Sequence, residues 1–257
     1  MTDDEAFIRA VVDSPGDDTP RLVYADWLDD HADPRGPYLR AEVELARTGT
    51  VACEKKLLSL APGLDAIWRA RVTRPPFGVC CDYLYFTNSG PRLTRDDLSE
   101  IGRWKRVRLP DDYTAFLLNY NGGIPHLVSD YLRPPSGVVT IAVSQFYVFR
   151  PGGNPRERGS LHGEVDRYWN KSLPGFLASK PSRYSESDVA WYHDFIPVAD
   201  TADGVYSVLL GVYGENRGRV QLIDWTVHPV SFSHVDSAQV GGSFAGLLAQ
   251  VIPTSAA

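Results

Sequence analysis

The sequence predicts an α+β protein in which a small helical module precedes a domain of mixed strands and helices. Residues 3–47 place apolar side chains at helical spacing. The segments richest in β-branched and aromatic residues come later in the chain, at 137–149, 205–213 and 219–225. A closing helical pattern begins at Ser243, a residue type favoured at helix N-caps.

Residues 1–49 are assigned to the helical module, with three short helices. Pro20 follows Thr19 at a position where the start of a helix tolerates a missing N–H, so Thr19 is the predicted N-cap of the second helix. Two prolines and a glycine at 33–37 separate the second helix from the third, which is expected to end near Gly49.

Residues 50–90 connect this module to the rest of the chain. Residues 54–71 have a weaker helical pattern, and residues 79–87 are predicted to form an aromatic-rich strand. Three placements stay open: packing on the module, bridging the two parts, or adding a strand to the main sheet. The aromatic strand favours close packing over a loose tether, because an exposed edge of this composition invites aggregation.

Residues 91–257 are assigned to the α+β domain. Thr94 and Asp97 resemble a capping box at the start of a helix that includes Trp104, and Pro110 begins the next helix. A hairpin loop is predicted at 214–218. The Gly-, Pro-, Arg- and Ser-rich residues 151–190 are expected to form a long excursion with one helix at 165–171, and the helix that starts at Ser243 is expected to run through Val251.

Composition excludes several classes of protein. With 43% hydrophobic and 23% charged residues among 257, the chain is neither disordered, collagen-like nor a small disulfide scaffold. A net charge of −6 argues against a nucleic-acid binder. Residues 1–44 hold 12 acidic and 4 basic side chains, whereas residues 45–257 hold 20 and 22, so the negative charge belongs to the helical module.

The lack of a targeting signal and the pattern of cysteines both favour the cytoplasm. No basic segment followed by an apolar run opens the chain, and no stretch approaches about 18 consecutive apolar residues, so neither a signal peptide nor a transmembrane helix is predicted. Cys53, Cys80 and Cys81 match no zinc-site spacing and are odd in number. We expect reduced cysteines and a cytoplasmic protein.

A short motif occupies the second predicted helix. It reads RLVYADWL over residues 21–28, with Arg21, Tyr24, Asp26 and Trp27 at its distinctive positions, and the turn DPRG follows at 33–36. This motif resembles the bacterial repeat-companion domain, although Ala32 stands where the turn of that family has glycine. The resemblance implies a targeting or association module with no chemistry attached.

A second motif, LPDDYTAFLLNYNGG, lies at 109–123. Its distinctive positions are Pro110, Tyr113, Phe116, Leu117, Tyr120, Asn121, Gly122 and Gly123. Together with FIPVAD at 195–200 and SFAGLL at 243–248, it resembles the Smi/Knr-type domain of the SUKH superfamily over roughly residues 91–252. The 151–190 excursion is longer and richer in Arg and Pro than that family suggests.

The SUKH resemblance implies a central β-sheet flanked by α-helices and a role in binding other proteins. Many bacterial members are thought to be immunity proteins that bind and neutralise toxins, often nucleases, and others are regulatory scaffolds. Because residues 45–257 are close to neutral overall, an inhibitor of a basic nuclease would need a locally arranged acidic patch.

An acidic cluster lies on the second helix and the turn after it: Asp26, Asp29, Asp30 and Asp33. A Ca²⁺ loop needs oxygen ligands at alternating positions, and Trp27-Leu28 interrupts that pattern, so no metal site is predicted. The simplest interpretation is a solvated face on which Asp26 either caps the helix or pairs with Arg21 or Arg35. The functional interpretation is a partner-binding face that speeds association with a basic protein.

The residues of the second motif have structural interpretations. Tyr113, Phe116, Leu117 and Tyr120 share one helical face, which favours core packing. Residues 121–123 are interpreted as a helix C-cap, because Asn and Gly tolerate left-handed backbone, with a binding loop as the alternative.

Catalytic and nucleotide-binding motifs are not assembled in the sequence. Residues 241–246 approach a nucleophile elbow, but the last glycine is one residue late and no histidine follows Ser243. The six histidines form no metal-binding pair, and no phosphate-binding glycine loop occurs. Tyr83, Tyr85 and Phe86 lack interleaved Lys or Arg, which favours strand packing over base stacking.

The sequence therefore predicts a non-enzymatic protein that binds another protein, without a cofactor, nucleic acid or membrane. The specific hypothesis is an immunity-like protein that binds and neutralises a bacterial toxin. Two alternatives stay open: a regulatory or assembly scaffold, and a hydrolase assembled from scattered His and Asp residues in a pocket with shifted pKa values. The oligomeric state is not specified by these patterns.

Overall fold

The computed structural model describes residues 2–103, 107–128, 141–154, 157–178, 186–204, 206–224 and 239–253. The predicted position of Trp104 and the start of the predicted 137–149 strand lie outside these residues.

Five helices form the first part of the chain: α1 (Asp3–Asp13), α2 (Thr19–Asp30), α3 (Arg35–Thr48), α4 (Val51–Leu60) and α5 (Ala66–Val72). The first three confirm the helices predicted for residues 3–47. The predicted N-cap of α2 was off by one residue. Thr19 lies inside the helix, and its N–H donates to the Asp17 carboxylate at 2.8 Å, an acceptor preceding the helix.

The second part contains six helices among the described residues: α6 (Arg95–Arg103), α7 (Asp111–Asn119), α8 (Leu161–Arg167), α9 (Leu173–Ala178), α10 (Glu186–His193) and α11 (Phe244–Leu248). The capping box is confirmed, since the Thr94 N–H donates to Asp97 Oδ2 at 2.7 Å and the Asp97 N–H to Thr94 Oγ1 at 3.2 Å. A π-helical turn at Tyr168–Ser172 joins α8 to α9, so the helix expected at 165–171 is part of a longer helical region.

Eight strands are described: β1 (Leu84–Thr87), β2 (Ile124–Leu127), β3 (Ile141–Phe146), β4 (Phe195–Thr201), β5 (Tyr206–Gly211), β6 (Val220–Asp224), β7 (Gln239–Gly241) and β8 (Val251–Pro253). The main sheet has the order β7-β6-β5-β4-β3-β8, antiparallel except for the parallel pair β3–β8. β1 and β2 form a separate antiparallel ribbon. An α+β fold with helices first is therefore confirmed.

Two expected boundaries were wrong for reasons visible in the hydrogen bonds. Residues 79–80 do not extend β1, because the Val79 and Cys80 N–H groups donate to Ala70 and Thr73 carbonyls at 2.8 and 2.9 Å. Val251 begins β8 instead of ending α11, since it pairs with Ile141 on β3. The predicted hairpin loop at 214–218 lies between β5 and β6, as expected.

Two hydrophobic cores meet at α5. The first core joins residues of α1–α3 to Leu57 of α4 and to Trp68 and Val72 of α5, and it includes Cys80. The second joins α7 and α11 to the main sheet and includes Ala70 of α5 together with Val79. Residues 50–80 thus pack on the helical module and also bridge the two parts, whereas β1 joins the ribbon outside the main sheet.

Candidate functional site

A network of buried charges lies where α2, α3 and the chain after α5 meet. The side chain of Arg21 is fully buried, and its Nε lies 3.1 Å from the Glu42 carboxylate, whose side chain is 3% exposed. Arg74 binds the same carboxylate through Nη1 at 3.0 Å and also contacts Asp18 at 2.9 Å and Asp82 at 3.3 Å. Since each charge has an opposite partner, the network fixes the position of the segment that follows α5.

Arg21 and Tyr24 of the first motif are structural. Arg21 also donates to the carbonyls of Pro15 at 2.8 Å and Val72 at 3.2 Å. The buried Tyr24 hydroxyl donates to Asp4 at 2.5 Å and accepts from Trp68 Nε1 at 3.0 Å. Trp27 is half-buried and packs against Phe7 and His31, so the motif mainly builds the first core.

Beside this network lies a groove of about 510 Å³ between the helical module and the second part of the chain. Its lining includes Leu45, Glu54, Pro75, Phe77, Asp82 and Ala249, and we call it the junction groove. Helix α3, the N-terminal turns of α4 and the segment after α5 supply most of its walls, whereas Ala249 comes from the end of α11. No local sequence pattern marks such a groove, because it forms between segments more than 150 residues apart.

One face of α4 continues this surface with exposed apolar side chains. Val51 is 65% exposed and Leu58 is 49% exposed, and Glu54 lies between them at helical spacings of 3 and 4. The opposite face of α4 buries Cys53 and Leu57 in the protein interior. Single exposed apolar side chains are ordinary on a protein surface, so Val51 and Leu58 are relevant here because they lie on either side of the groove residue Glu54.

Three of the four carboxylates in the predicted acidic cluster form ion pairs with arginines. Asp26 and Asp29 both pair with Arg40, at 2.5 and 2.6 Å, and Asp33 pairs with Arg35 at 2.8 Å. The predicted pairing of Asp26 with Arg21 or Arg35 was wrong, because Arg21 faces the buried Glu42. Asp30 is exposed and has no ion pair with any residue in the described ranges.

Hydrogen bonds of Arg35 and attraction to its charge lower the pKa of Asp33. This carboxyl therefore stays ionised in its pair. Of the four acidic residues, Asp30 has no ion pair among the described residues, and Asp26 and Asp29 share the single charge of Arg40.

The second motif forms the core of the sheet domain and its turn. Tyr113, Phe116 and Leu117 are buried, and Phe116 packs against Phe146 and Phe244 with ring centroids 5.1 and 5.0 Å apart. The remaining motif residues cap or follow the helix: Pro110 precedes α7, Tyr120 ends it, and Asn121, Gly122 and Gly123 have positive φ.

The side chain of Asn121 shows why this turn is fixed. Its Nδ2 donates to the carbonyls of Pro91 and Phe149 at 2.7 and 2.8 Å, and its Oδ1 accepts the Phe149 N–H at 2.9 Å. A Cβ at Gly122 would lie 2.5 Å from the Tyr147 carbonyl oxygen, too close for any other residue. These contacts make the Asn-Gly-Gly turn a structural element.

Ser243 is the N-cap of α11, as expected. Its Oγ accepts the Gly246 N–H at 3.0 Å, and Asp112 accepts the Ala245 N–H at the same distance. Burial raises the pKa of Asp112, although these backbone N–H groups oppose the rise. The Ser243 hydroxyl is therefore committed to the helix end.

A smaller cleft of about 130 Å³ lies over β4 and β5 beside the π-helical turn. The hydroxyls of Tyr147 and Ser207 donate to Asp200 at 2.5 and 3.3 Å, and Glu164 with Arg167 lies at the rim. Burial, reinforced by the charge of Glu164, raises the pKa of Asp200 against these hydrogen bonds. Sequence reasoning did not bring these residues together, since they lie on β4, β5, α8 and the segment after β3.

Metal-binding and membrane-spanning features are absent from the described part of the chain. Within it, no group of three His, Cys, Asp or Glu side chains is placed to hold a metal ion. The three cysteines are buried and free, and burial raises the pKa of the Cys80 thiol to about 11. None of the described helices is both long and apolar enough to cross a membrane.

Comparisons with known proteins return no relatives for this chain. No protein-family model matches it, and neither a curated protein nor a solved structure does so.

Proposed function

We propose that this chain is a non-enzymatic protein-binding protein of the cytoplasm, and specifically an immunity-like protein that binds and neutralises a bacterial toxin. The observation that carries the proposal is the junction groove, which lies next to the exposed Val51 and Leu58 of α4. The resemblance of residues 109–123 to the SUKH superfamily supports the same class.

The surface has the composition that a protein interface needs. Apolar walls from Leu45, Pro75 and Phe77 provide area that a partner removes from water, at about 25 cal/mol per Å². Carboxylates at the same groove contribute to specificity and to the rate of encounter more than to affinity. A few deeply packed partner side chains would carry most of the binding free energy.

The small cleft at Asp200 is a poor candidate for a hydrolase site. Its volume of about 130 Å³ is below the roughly 300 Å³ at which small-molecule sites begin. The hydroxyls of Tyr147 and Ser207 both donate to the Asp200 carboxylate, so these groups satisfy one another. A hydrogen-bonded network of this kind stabilises β4 against β5 and α8 without a substrate.

A cytoplasmic location fits the chemistry of the thiols. Cys53, Cys80 and Cys81 are buried without a disulfide in the structure, the state that a reducing compartment maintains. High thiol pKa values at Cys80 and Cys81 keep both groups protonated and unreactive.

The experiment that tests the proposal starts with the tagged full chain expressed in its native bacterium. Captured proteins are then purified separately and titrated against the chain by calorimetry, and each is expressed alone and together with it in a naive host. A partner that binds stoichiometrically, arrests growth alone and is neutralised on co-expression supports the proposal.

Other outcomes of that experiment separate the alternatives. Stoichiometric binding of a non-toxic partner identifies a regulatory or assembly scaffold. The absence of any stoichiometric partner, with turnover of a small-molecule ester or amide by the purified chain, contradicts the protein-binding class.

A further inference from the structure

We infer that the junction groove takes an extended segment of the partner in which a bulky apolar side chain is flanked by lysine or arginine. This inference rests on the proposed function and adds the chemistry of the occupant. Three properties of the groove lead to it: its size, its apolar walls and the sign of its charge.

The size of the groove fits a chain segment. A volume of about 510 Å³ is in the range of sites that enclose drug-sized ligands, roughly 300–1,000 Å³. Leu45, Pro75 and Phe77 are each half-buried, so each leaves part of its apolar surface facing the groove, although Leu45 and Phe77 also pack against the first core. An apolar side chain inserted between them would be largely removed from water.

The negative charge of the groove lining favours lysine or arginine on either side of the inserted apolar residue of the partner. Glu42, Glu54 and Asp82 line the groove, whereas Arg74 is the one basic residue among its described lining. Arg74 already binds Glu42, Asp18 and Asp82, so its charge is not offered to a ligand.

Glu54 is a partly exposed carboxylate of the groove lining. In the described part of the chain no lysine or arginine pairs with Glu54, and it lies between the exposed Val51 and Leu58. The other two lining carboxylates are paired, Asp82 with Arg74 at 3.3 Å and Glu42 with both Arg21 and Arg74. A lysine or arginine beside the inserted apolar residue would therefore meet the unpaired charge of Glu54.

The exposed face of α4 extends the contact beyond the groove. Val51 and Leu58 lie on both sides of Glu54 along the helix, at a separation of about 10 Å from the rise of 1.5 Å per residue. An extended segment covers that distance with about three residues. A segment seated in the groove therefore needs only a few further residues to reach Val51 and Leu58.

The probes for the test are fluorescein-labelled octapeptides measured by anisotropy with the full chain. The cationic peptide has the sequence GKRFLRKG, and the acidic and neutral counterparts are GEEFLEEG and GSNFLNSG. We expect the cationic peptide to bind at least ten-fold more tightly than the acidic one, and the difference to shrink with added salt.

Charge variants locate this selectivity in the groove. Glu54→Gln and Asp82→Asn are each expected to raise the dissociation constant of the cationic peptide about two- to five-fold. Glu215→Gln is the matched control, since Glu215 is an exposed glutamate of the β5–β6 loop outside the groove lining. Equal binding of the three peptides, no binding of any, or an equal effect of Glu215→Gln overturns the inference.

A blocking variant keeps the test independent of charge. Ala46 is exposed on α3 and lines the groove, so Ala46→Trp fills space without disturbing a core. Its control is Ala10→Trp, at an exposed alanine of α1 outside the lining. We expect Ala46→Trp to abolish binding of the cationic peptide and Ala10→Trp to leave it within two-fold.

Failure of this inference is distinguishable from failure of the proposed function. If neutral and acidic peptides compete with a captured partner for this chain as well as the cationic peptide does, the inference is overturned. The protein-binding role is left intact by that result. Conversely, the chain could bind the cationic peptide tightly, yield no stoichiometric partner and turn over a small molecule. That combination of results overturns the proposed function alone.

Discussion

The Glu42 carboxylate, with 3% of its side chain exposed, forms an ion pair of 3.1 Å with the fully buried guanidinium of Arg21. Replacement of Glu42 with alanine would remove the carboxylate that Arg21 and Arg74 share, although both side chains are largely buried away from water. We expect Glu42→Ala to lower the free energy of unfolding by about 3–5 kcal/mol in urea titrations.

The matched control for that change is Glu44→Ala on the same helix. Glu44 forms a surface pair with Lys56 at 2.7 Å, and both side chains are about half exposed. Solvent and salt screen such a surface pair, so Glu44→Ala should cost far less than Glu42→Ala, and a comparable cost would contradict the role of the buried network.

Removal of two buried tyrosine hydroxyls should have different effects on the free energy of unfolding. The Tyr113 hydroxyl is buried with no hydrogen-bond partner among the described residues, whereas that of Tyr24 bonds to Asp4 and Trp68. We expect Tyr113→Phe to be neutral or to raise the free energy of unfolding by up to about 1 kcal/mol, since no hydrogen bond is lost. Tyr24→Phe should lower it by about 1–3 kcal/mol, because the buried Trp68 N–H loses its acceptor and Asp4 keeps only Arg35 among the described residues. Destabilisation of equal size in both would show that Tyr113 has a partner.

The raised pKa of Asp200 predicts a pH dependence with a defined sign. Between the ordinary carboxyl value near 3.8 and the higher value in the fold, the folded state binds more protons than the unfolded state. Stability from this group is therefore lost as the pH rises through that window. Relative to wild type, we expect Asp200→Asn to become progressively more stable with rising pH and then to level off, as measured by denaturant titrations at a series of pH values.

Asp33→Asn provides a control of opposite sign. Because Arg35 lowers the pKa of Asp33, this carboxylate stabilises the fold above its ordinary range near 3.8. That contribution disappears as the pH falls through the lowered value. Wild type should thus lose its advantage over Asp33→Asn in acid, and parallel curves for the two variants would contradict the assignment.

The acidic residues of α2 should differ in how strongly they steer a partner. Arg40 offsets Asp26 and Asp29, whereas Asp30 has no ion pair in the described ranges. If this face attracts a basic protein, Asp30→Asn should slow association at low salt more than Asp26→Asn does. Stopped-flow association rates measure this, and equal slowing would contradict the ranking.

Local patterns predicted the elements that local interactions determine. The helices of residues 3–47, the capping box at Thr94 and the cap at Ser243 depend on neighbours within a few residues, and the structure contains them. The start of β1 at Leu84 depends instead on Val79 and Cys80 bonding back to α5 and the residue after it. A strand-like composition gives no information about such a tertiary competitor.

The candidate site was beyond prediction for the same reason. Arg21 finds Glu42, Val72 and Cys80 only after α2, α3 and α5 have packed together. Its place in the RLVYADWL motif was the signal that pointed to it, and that signal did not separate a structural role from a binding role. The junction groove combines segments near residues 45, 75 and 249, whose alignment no periodicity encodes.

Helix α5 places Trp68 and Val72 in one core and Ala70 in the other, on a single stretch of seven residues. A fragment that ended at residue 49 would strip the first core of Leu57, Trp68 and Val72, and one that ended at residue 90 would leave Ala70 and Val79 facing water. Residues 1–49 alone therefore lack side chains that complete the first core, so the helical module needs α4 and α5 to fold. Recombination that moved it between proteins would have to carry α5 along, and the recipient domain would have to offer a surface for Ala70.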